Sequence, residues 1–199
     1  MRIIGITGQS GSGKGHLSKE FEKLGYVHAD ADKIYHGLLS SNNALKDELV
    51  RSFGEDILSG GEIDRKALGK KVFGRENARK LLKLNKIAHK YVAREYIRLI
   101  RKLKDENARG IIIDAPLLIE ARLDKICDTT IFVAADSETR IDRIIKRDGI
   151  DRTAAVLRID SQKDISFYAR YCKHIFINNG EEDASLFAAD IDRLSEADN

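Results

Sequence analysis

Glycine and lysine residues near the start of the chain recur at a spacing that has chemical meaning. Gly8 and Gly13 are the first and sixth residues of the pattern G-x-x-x-x-G-K, and Lys14 completes it. Glycines let the chain turn back, so that successive backbone N–H groups point inward and surround a polyphosphate. The following helix directs the positive end of its dipole at the same phosphates, and the lysine adds a point charge. The spacing therefore predicts that the chain binds a nucleoside triphosphate.

The residue after the loop lysine departs from the usual form of this pattern. It is Gly15, where a serine or threonine hydroxyl normally binds Mg²⁺. The metal would then rely on water, nucleotide oxygens and carboxylates. His16 would lie in the first helical turn near the α-phosphate, or be an exposed residue without a task, and both interpretations stay open. A dinucleotide pattern G-x-G-x-x-G is excluded, because from Gly11 and Gly13 its last position falls on His16.

Acidic residues follow two of the apolar runs. Asp30 and Asp32 come directly after the second run, where an acceptor hydroxyl would be oriented and would lose its proton. Either aspartate could instead cap the next helix. Asp114 ends the third run, at the position that holds Mg²⁺ or its water in chains with a phosphate loop. We expect Asp114 to act through water and to matter more here because the loop hydroxyl is missing.

Basic and amide side chains later in the chain are further candidates. Arg143 and Arg147 are four residues apart on one predicted helix face, from which they could clamp phosphates and stabilise transition-state charge. Arg140, considered alone, is expected to be solvated. Asn178 begins the Asn-Asn-Gly sequence that follows the last apolar run. That sequence is typical of a turn, but its location would also allow contact with a nucleotide base.

The elements that must position these residues alternate along the chain. Five apolar runs predict strands, and four of them are continuously apolar, as expected for strands buried on both faces of a sheet. These strands are Arg2–Thr7, Tyr26–His28, Gly110–Asp114, Thr130–Ala134 and His174–Asn178. Because helical patterns separate them, the predicted fold class is α/β with a five-stranded parallel sheet. Ligands of such sheets bind beyond the carboxyl ends of the strands, where the candidate residues follow.

Helical segments fill the long connections. Asp64 is a predicted N-cap for a helix over 65–73, and a long amphipathic helix with a basic face is predicted over 86–106. This insertion is where an acceptor-binding subdomain would lie. An arginine-rich helical segment over 137–169 could be a lid, and a helix over 182–194 is predicted to pack on the sheet through Phe187, Ile191 and Leu194.

Composition sets the remaining limits. The 199 residues are 42% hydrophobic and 34% charged, enough for one α/β domain with an insertion, and the net charge of +3 is small. We therefore expect no nucleic-acid and no membrane partner. The chain opens on its first strand, and the apolar stretch 111–119 is too short to span a bilayer, so we expect a cytoplasmic protein with Cys127 and Cys172 reduced and buried. The oligomeric state stays open.

Taken together and in order, these motifs resemble those of the dephospho-coenzyme A kinase family over almost the whole chain. The matching residues are the phosphate loop, Asp30-Ala31-Asp32, Phe53-Gly54, Leu84-x-x-Ile87-x-His89, Asp114-x-Pro116-Leu117-Leu118, Arg143-x-x-x-Arg147-Asp148-Gly149, Arg158-Ile159-x-x-Gln162 and Asn178-x-Gly180. The resemblance implies ATP-dependent phosphorylation of the ribose 3′-hydroxyl of dephospho-coenzyme A, the last step of coenzyme A synthesis.

The resemblance also implies a domain organisation and site roles. It implies one phosphate-loop kinase domain with a core over 1–32, 110–136 and 170–199, a helical acceptor subdomain over about 33–109 and a lid over about 137–169. It makes Asp32 the general base, with Lys14, Arg143 and Arg147 as further catalytic residues. The implied ATP contacts are Gly11, Ser12, Gly13, Lys14, Gly15, His16 and Asn178, with Mg²⁺. The implied acceptor contacts are Asp32, His89, Asp114, Pro116, Leu117 and Leu118.

Three departures from the family pattern bear on these roles. Gly15-His16 replaces a Ser/Thr pair, Lys90 replaces the proline after His89, and Arg140 replaces a glutamine. A nucleoside monophosphate kinase is the nearest alternative, but its anionic acceptor needs no general base such as Asp32. A non-metabolic phosphate-loop NTPase is the other alternative, and a GTPase would require an Asn-Lys-x-Asp sequence where Asn85-Lys86 continues differently.

Overall fold

The computed structural model describes residues 1–194. Its strands and α-helices, in chain order, are β1 (Arg2–Gly8), α1 (Lys14–Lys23), β2 (Tyr26–Asp30), α2 (Ala31–Ser41), α3 (Asn43–Phe53), β3 (Leu58–Ser59), β4 (Glu62–Ile63), α4 (Arg65–Val72), α5 (Ala78–Asp105), β5 (Gly110–Asp114), β6 (Thr129–Ala134), α6 (Ser137–Asp148), α7 (Arg152–Asp160), α8 (Ile165–Ala169), β7 (His174–Ile177) and α9 (Ala184–Leu194). The chain divides into unit 1, comprising residues 1–30 and the chain from Leu103 onward, and unit 2, comprising Ala31–Lys102.

The five apolar runs form a parallel sheet in unit 1, as predicted. The strand order is β2-β5-β1-β6-β7, and every neighbouring pair is parallel. β1 lies in the middle, with Ile4 opposite Ile112 on one side and Thr129 on the other. β2 continues two residues further than predicted, to Asp30, which lies opposite Asp114. Because all five strands run the same way, their carboxyl ends meet at one edge of the sheet.

Apolar side chains on one face of this sheet pack against α1 and α9. Buried residues of the two helices form one cluster with those of the strands, and they include Leu17, Phe21, Ala188 and Ile191. The α9 prediction is confirmed for Ile191 and for the partly buried Phe187, but it is wrong for Leu194, which is 58% exposed at the helix end. Cys172 is buried and Cys127 partly buried, and both are free thiols.

The segment predicted as a possible lid forms three separate helices. They are α6, α7 and α8, and α6 packs on α7 through a small cluster that includes Ile141, Ile144 and Ala155. Aspartates cap their N-termini: Asp136 accepts from Thr139 N, Asp151 from Ala154 N and Asp164 from Phe167 N. No helix within residues 1–194 is long and apolar enough to cross a membrane.

Unit 2 is mainly helical around its own apolar cluster. Leu45, Leu49, Ile57 and Val72 lie at the centre of that cluster with less than 2% of each side chain exposed. Asp64 caps α4 as predicted, accepting hydrogen bonds from Lys66 N at 2.8 Å and Ala67 N at 3.1 Å.

Two features of unit 2 differ from the sequence prediction. A two-stranded antiparallel hairpin, β3–β4, interrupts the helices, and α5 begins at Ala78 rather than Lys86. The earlier start of α5 buries Leu84 in the unit 2 cluster. Lys90 leaves the helix unbroken after His89, as expected for a residue that keeps the N–H that proline lacks.

Candidate active site

The phosphate loop connects β1 to α1 at the carboxyl edge of the sheet. Gly11 has φ +79° and Gly13 has φ +88°, backbone conformations that glycine adopts without strain. Space also requires glycine there: a Cβ at Gly11 would lie 2.6 Å from the Arg140 carbonyl oxygen, and one at Gly13 would lie 2.2 Å from Asn178 Nδ2. The loop borders a cavity of about 230 Å³, which is lined by Gln9, Ser10, Gly11, Gly13, Lys14, Gly15, Arg143 and Arg147.

Two side chains hold the carbonyl groups at the rear of the loop. Asn178 Nδ2 donates to Ser12 O at 2.9 Å, and Arg143 Nη1 donates to Gly11 O and Ser12 O, both at 3.3 Å. Arg143 Nη2 also donates to Asn178 O at 3.0 Å, so that the two residues support one another. Asn178 is only 8% exposed. The structure therefore places its amide on the loop backbone, behind the cavity.

Arg140 was expected to be solvated, and this prediction is wrong. Only 4% of the residue is exposed, and its Nε donates to Ser10 O at 3.0 Å. Its Nη2 donates to Gln162 Oε1 at 2.9 Å, and the same oxygen accepts from Ser10 N at 3.0 Å. The buried guanidinium donates hydrogen bonds to oxygen atoms in the loop and on the segment after α7, as buried polar groups usually do. Arg140 and Gln162 were missed as site residues.

Arg147 lies at the outer edge of the cavity. Its Nη2 is 3.4 Å from Ser10 Oγ. The guanidinium group also donates to the neighbouring Asp148, through Nε at 2.7 Å and through Nη2 at 2.9 Å. Arg158 also donates to Asp148. These arginines lower the pKa of Asp148 to about 2. Arg147 is thus exposed and oriented by a carboxylate, whereas Arg143 is half-buried against the loop.

The Asp114 carboxylate lies between the loop lysine, Lys14, and His28 of β2. Its Oδ1 is 3.8 Å from Lys14 Nζ, and its Oδ2 accepts from Ser18 Oγ at 3.4 Å and lies 3.2 Å from His28 Nε2. That hydrogen bond to Asp114 is the main cause of a raised pKa at His28. Asp114 is 7% exposed, so water screens its charge only weakly and its interactions with Lys14 and His28 are strengthened.

The residues present fit a hydrated Mg²⁺ ion held mainly by the nucleotide. Mg²⁺ commonly keeps several waters and binds through one or two carboxylates together with substrate phosphates. Asp114 supplies one carboxylate beside Lys14, and Gly15 supplies no side-chain oxygen. Residues 1–194 contain no group of three or more His, Cys, Asp and Glu side chains that could hold a metal ion alone.

The segment after β5 has mixed exposure. Pro116 is exposed, and its carbonyl accepts from Thr7 Oγ1 at 3.1 Å. Leu117 is 38% exposed, so it is available to a ligand. Leu118 is fully buried and packs beside Gly5, where an added Cβ would lie 2.9 Å from Leu118 Cδ2, and its part in an acceptor site stays a prediction.

The exposed half of the loop carries the two residues that depart from the family pattern. Gly15 and His16 are both exposed in the first turn of α1, and His16 N donates to Gly13 O at 2.9 Å. Apart from the backbone of its own helical turn and its chain neighbours, no atom of the described residues lies within 4 Å of a Cβ added at Gly15. Ser12, in contrast, is completely buried, and its Oγ has no hydrogen-bond partner among the described residues.

Asp30 ends β2 in unit 1, and the remaining predicted site residues belong to unit 2. Asp32 is an exposed residue in the first turn of α2. His89 lies half-buried on α5, and burial lowers its pKa. Lys90 pairs with Glu48.

Unit 2 also contains a cavity of about 770 Å³ that no sequence motif indicated. Its lining residues are mostly apolar: Tyr35, His36, Leu39, Ser59, Ile63, Asp64, Arg65, Lys66, Leu68, Gly69, Val72, Phe73 and Leu84. Tyr35 Oη is fully buried and has no hydrogen-bond partner within the described part of the chain. Burial raises the pKa of Tyr35 to about 12, so the hydroxyl stays protonated at neutral pH.

The sheet, the loop between β1 and α1, and the arginines of α6 define a phosphate-loop nucleotide-binding protein of the kinase type. Comparison with known proteins narrows this class. A family model described as dephospho-CoA kinase matches residues 2–183. The chain belongs to the dephospho-CoA kinase family.

Individual relatives agree with this assignment. The chain is 43% identical to the dephospho-CoA kinase of Fusobacterium nucleatum over 161 residues, covering 80% of each protein. It is 35% identical to that of Carboxydothermus hydrogenoformans over 179 residues, covering 89% of this chain and 86% of the relative. A solved dephospho-CoA kinase from Campylobacter jejuni superposes with a TM-score of 0.69 at 25% identity, covering 100% of both chains.

Proposed function

We propose that the chain transfers the γ-phosphoryl group of ATP to the ribose 3′-hydroxyl of dephospho-coenzyme A, giving coenzyme A and ADP. The observation that carries the proposal is the match of the whole kinase region, residues 2–183, to the dephospho-CoA kinase family. The preformed loop, with Lys14 and two arginines at its cavity, supports phosphoryl transfer as the chemistry.

In this proposal the residues around the loop bind ATP and stabilise charge. The N–H groups of the loop and of the first turn of α1, from Gly11 to His16, face the phosphates, and Lys14 reaches the β- and γ-oxygens. Arg143 and Arg147 stabilise the charge that spreads over the transferred group. Asn178 contributes by holding the Ser12 carbonyl. α6 to α8 act as the lid, which limits transfer of the phosphoryl group to water.

A Mg²⁺ ion bound to ATP would be held by the phosphates, water and Asp114, and it would neutralise charge on the β- and γ-oxygens. The Lys14 ammonium lies 3.8 Å from Asp114 Oδ1, so this carboxylate stands beside the loop lysine. Gly15 leaves room for a water molecule where a loop hydroxyl usually binds.

Unit 2 supplies the acceptor functions. Asp32 accepts the proton of the attacking 3′-hydroxyl, a role carried over from its position in the Asp-Ala-Asp motif. The cavity of about 770 Å³ binds a mainly apolar part of the acceptor, and Tyr35 Oη donates a hydrogen bond to it. His89, Pro116 and Leu117 are further acceptor contacts.

Product identification tests this proposal. Purified protein is incubated with Mg-ATP and dephospho-coenzyme A, and the products are followed by mass spectrometry and ³¹P NMR. We expect one ADP for each coenzyme A formed, with the new phosphate on the 3′-oxygen, and no product from Lys14→Ala. ADP release without coenzyme A, or a phosphate on another oxygen, would overturn it.

A further inference from the structure

We propose that Arg140 and Gln162 form a rear clamp that fixes the Ser10 turn of the phosphate loop and places a buried positive charge behind the bound polyphosphate. Arg140 is thus a positioning residue for ATP. The inference rests on nucleotide binding by the loop and not on the identity of the acceptor.

The hydrogen bonds of the rear clamp close a cycle. Ser10 N donates to Gln162 Oε1, Arg140 Nη2 donates to the same oxygen, and Arg140 Nε donates to Ser10 O. Both backbone polar groups of Ser10 are therefore held by the clamp. A second contact beside it, from Gln9 Nε2 to Lys163 O at 2.8 Å, ties the preceding loop residue to the same segment.

The charge of Arg140 is not balanced by a carboxylate in the part of the chain that the structure describes. Its partners there are the Ser10 carbonyl and the Gln162 amide oxygen, both neutral, and the residue is 4% exposed. Burial accordingly lowers the pKa of Arg140. A buried cation with only neutral partners is costly, so an anion nearby would be bound strongly.

The anion that this site suits is the polyphosphate. The Arg140 backbone packs directly behind Gly11, and its side chain bonds to Ser10, yet Arg140 is absent from the lining of the loop cavity. Its effect on a nucleotide is therefore through the field of its charge and through the shape of the loop. Arg143 and Arg147, on the same helix, line the cavity and act by contact.

Gln162→Glu separates these contributions. The variant keeps an oxygen that accepts from Ser10 N and Arg140 Nη2, so the hydrogen-bonded shape of the loop is retained. It adds a carboxylate that cancels the buried charge. Ser161→Glu is the matched control, because it adds the same charge one residue away at an exposed position whose hydroxyl donates to Arg158 O and not to the Arg140–Ser10 cycle.

The dissociation constants of Mg-ATP, ADP and AMP are measured by calorimetry without an acceptor. We expect Gln162→Glu to weaken Mg-ATP binding on the order of tenfold and AMP binding about twofold or less, because the loss scales with ligand charge. Its melting temperature should equal or exceed that of the unmodified chain. Ser161→Glu should change every constant by less than about twofold.

Arg140→Lys gives an independent readout, since it keeps the charge and loses the planar fork. We expect Arg140→Lys to lose ATP affinity to an extent between that of the unmodified chain and that of Gln162→Glu. The KM for ATP should rise, and kcat should stay within about twofold of the value for the unmodified chain. The inference is overturned if Gln162→Glu binds Mg-ATP as tightly as the unmodified chain, or if all three nucleotides weaken equally. Because no acceptor is present in the binding experiment, failure of the proposed acceptor chemistry would leave these results unaffected.

Discussion

The phosphate loop of unit 1 and the cavity of unit 2 are built in contrasting ways. Around the loop, the carbonyl groups of Ser10, Gly11 and Ser12 are held by Arg140, Arg143 and Asn178. Around the unit 2 cavity, the lining is mainly apolar, and Tyr35 Oη is buried without a hydrogen-bond partner among the described residues. The loop thus has its binding shape before a ligand arrives, whereas the cavity has an unsatisfied polar group that a ligand could satisfy.

This difference indicates how the two substrates are recognised. Preformed hydrogen bonds reduce the ordering cost of binding ATP, so that the loop can use fixed N–H groups for the phosphates. An apolar cavity contributes area and shape, and its specificity depends on the few polar atoms that it contains. We expect substitutions on the nucleotide side to change ATP binding alone, and substitutions on the cavity to change acceptor binding alone.

The largest effect is expected at Asp32, which tests whether unit 2 contributes chemistry as well as binding. Asp32→Asn should lower kcat by roughly 10²- to 10⁴-fold, the usual range for a general base, and leave both KM values nearly unchanged. Steady-state kinetics would measure this. Asp47→Asn, at another exposed position of unit 2, is the control and should have little effect. A near-normal kcat for Asp32→Asn would show that the base is another group.

The next effect concerns the preformed loop. Asn178→Ala removes the shorter of two hydrogen bonds to the buried Ser12 carbonyl, the other coming from Arg143 Nη1, a loss worth about 1–3 kcal/mol. We expect the KM for ATP to rise by roughly 5- to 100-fold, with the acceptor KM unchanged. Asn179→Ala is the neighbouring control, since Asn179 is exposed and its Oδ1 accepts from Asp136 N rather than contacting the loop carbonyls. If ATP binding were insensitive to Asn178→Ala, the loop would not depend on this support.

A smaller effect is expected at the unit 2 cavity, where one substitution should weaken acceptor binding without lowering the free energy of unfolding. Tyr35→Phe removes a buried hydroxyl that lacks a partner, so the free energy of unfolding should stay equal or rise by about 1 kcal/mol. If that hydroxyl bonds the acceptor, the acceptor KM should nevertheless rise about fivefold. Kinetics and thermal unfolding together measure both quantities.

Tyr91→Phe provides the matched comparison for Tyr35→Phe. Tyr91 Oη lies 2.9 Å from both Ala44 O and Glu48 Oε2, which share its single hydrogen as acceptors, and Tyr91 does not line the cavity. Removal of the Tyr91 hydroxyl should lower the free energy of unfolding by about 1 kcal/mol and leave the acceptor KM unchanged. The same response from both tyrosines would mean that Tyr35 has no part in acceptor binding.

The smallest effect is expected for Gly15→Ser. A Cβ added at Gly15 meets no atom beyond its own helical turn within 4 Å, so folding should be unaffected, and serine is the better residue inside a helix. We expect kcat within about twofold and a modestly lower Mg²⁺ concentration for half-maximal activity. Titration of Mg²⁺ at fixed ATP measures this. A large loss of activity would show that the loop requires glycine at this position.

Much of the nucleotide side could be predicted from the sequence, because local patterns determine it. Continuous apolar runs define the strands, and the spacing of Gly8, Gly13 and Lys14 defines the loop. The rear clamp could not be predicted, since Arg140 meets Ser10 across 130 residues and charged side chains are usually exposed. Only the fold brings these groups together.

Unit 2 was harder to predict for a different reason. Each strand of the β3–β4 hairpin has two residues, too few for an alternating pattern, although the Gly60-Gly61 turn between them was an available signal. The cavity arises from the packing of α2, α4 and the hairpin, and no short motif encodes such packing. Asp32 was identified by its place in a motif, and its role stays a prediction.

Initial rates of ADP release test the central claim most directly. The purified protein receives Mg-ATP with dephospho-coenzyme A, with AMP, or with no acceptor. We predict saturable turnover with dephospho-coenzyme A and only background rates in the other two reactions. Turnover with AMP, or equal ADP release in all three reactions, would contradict the proposed function.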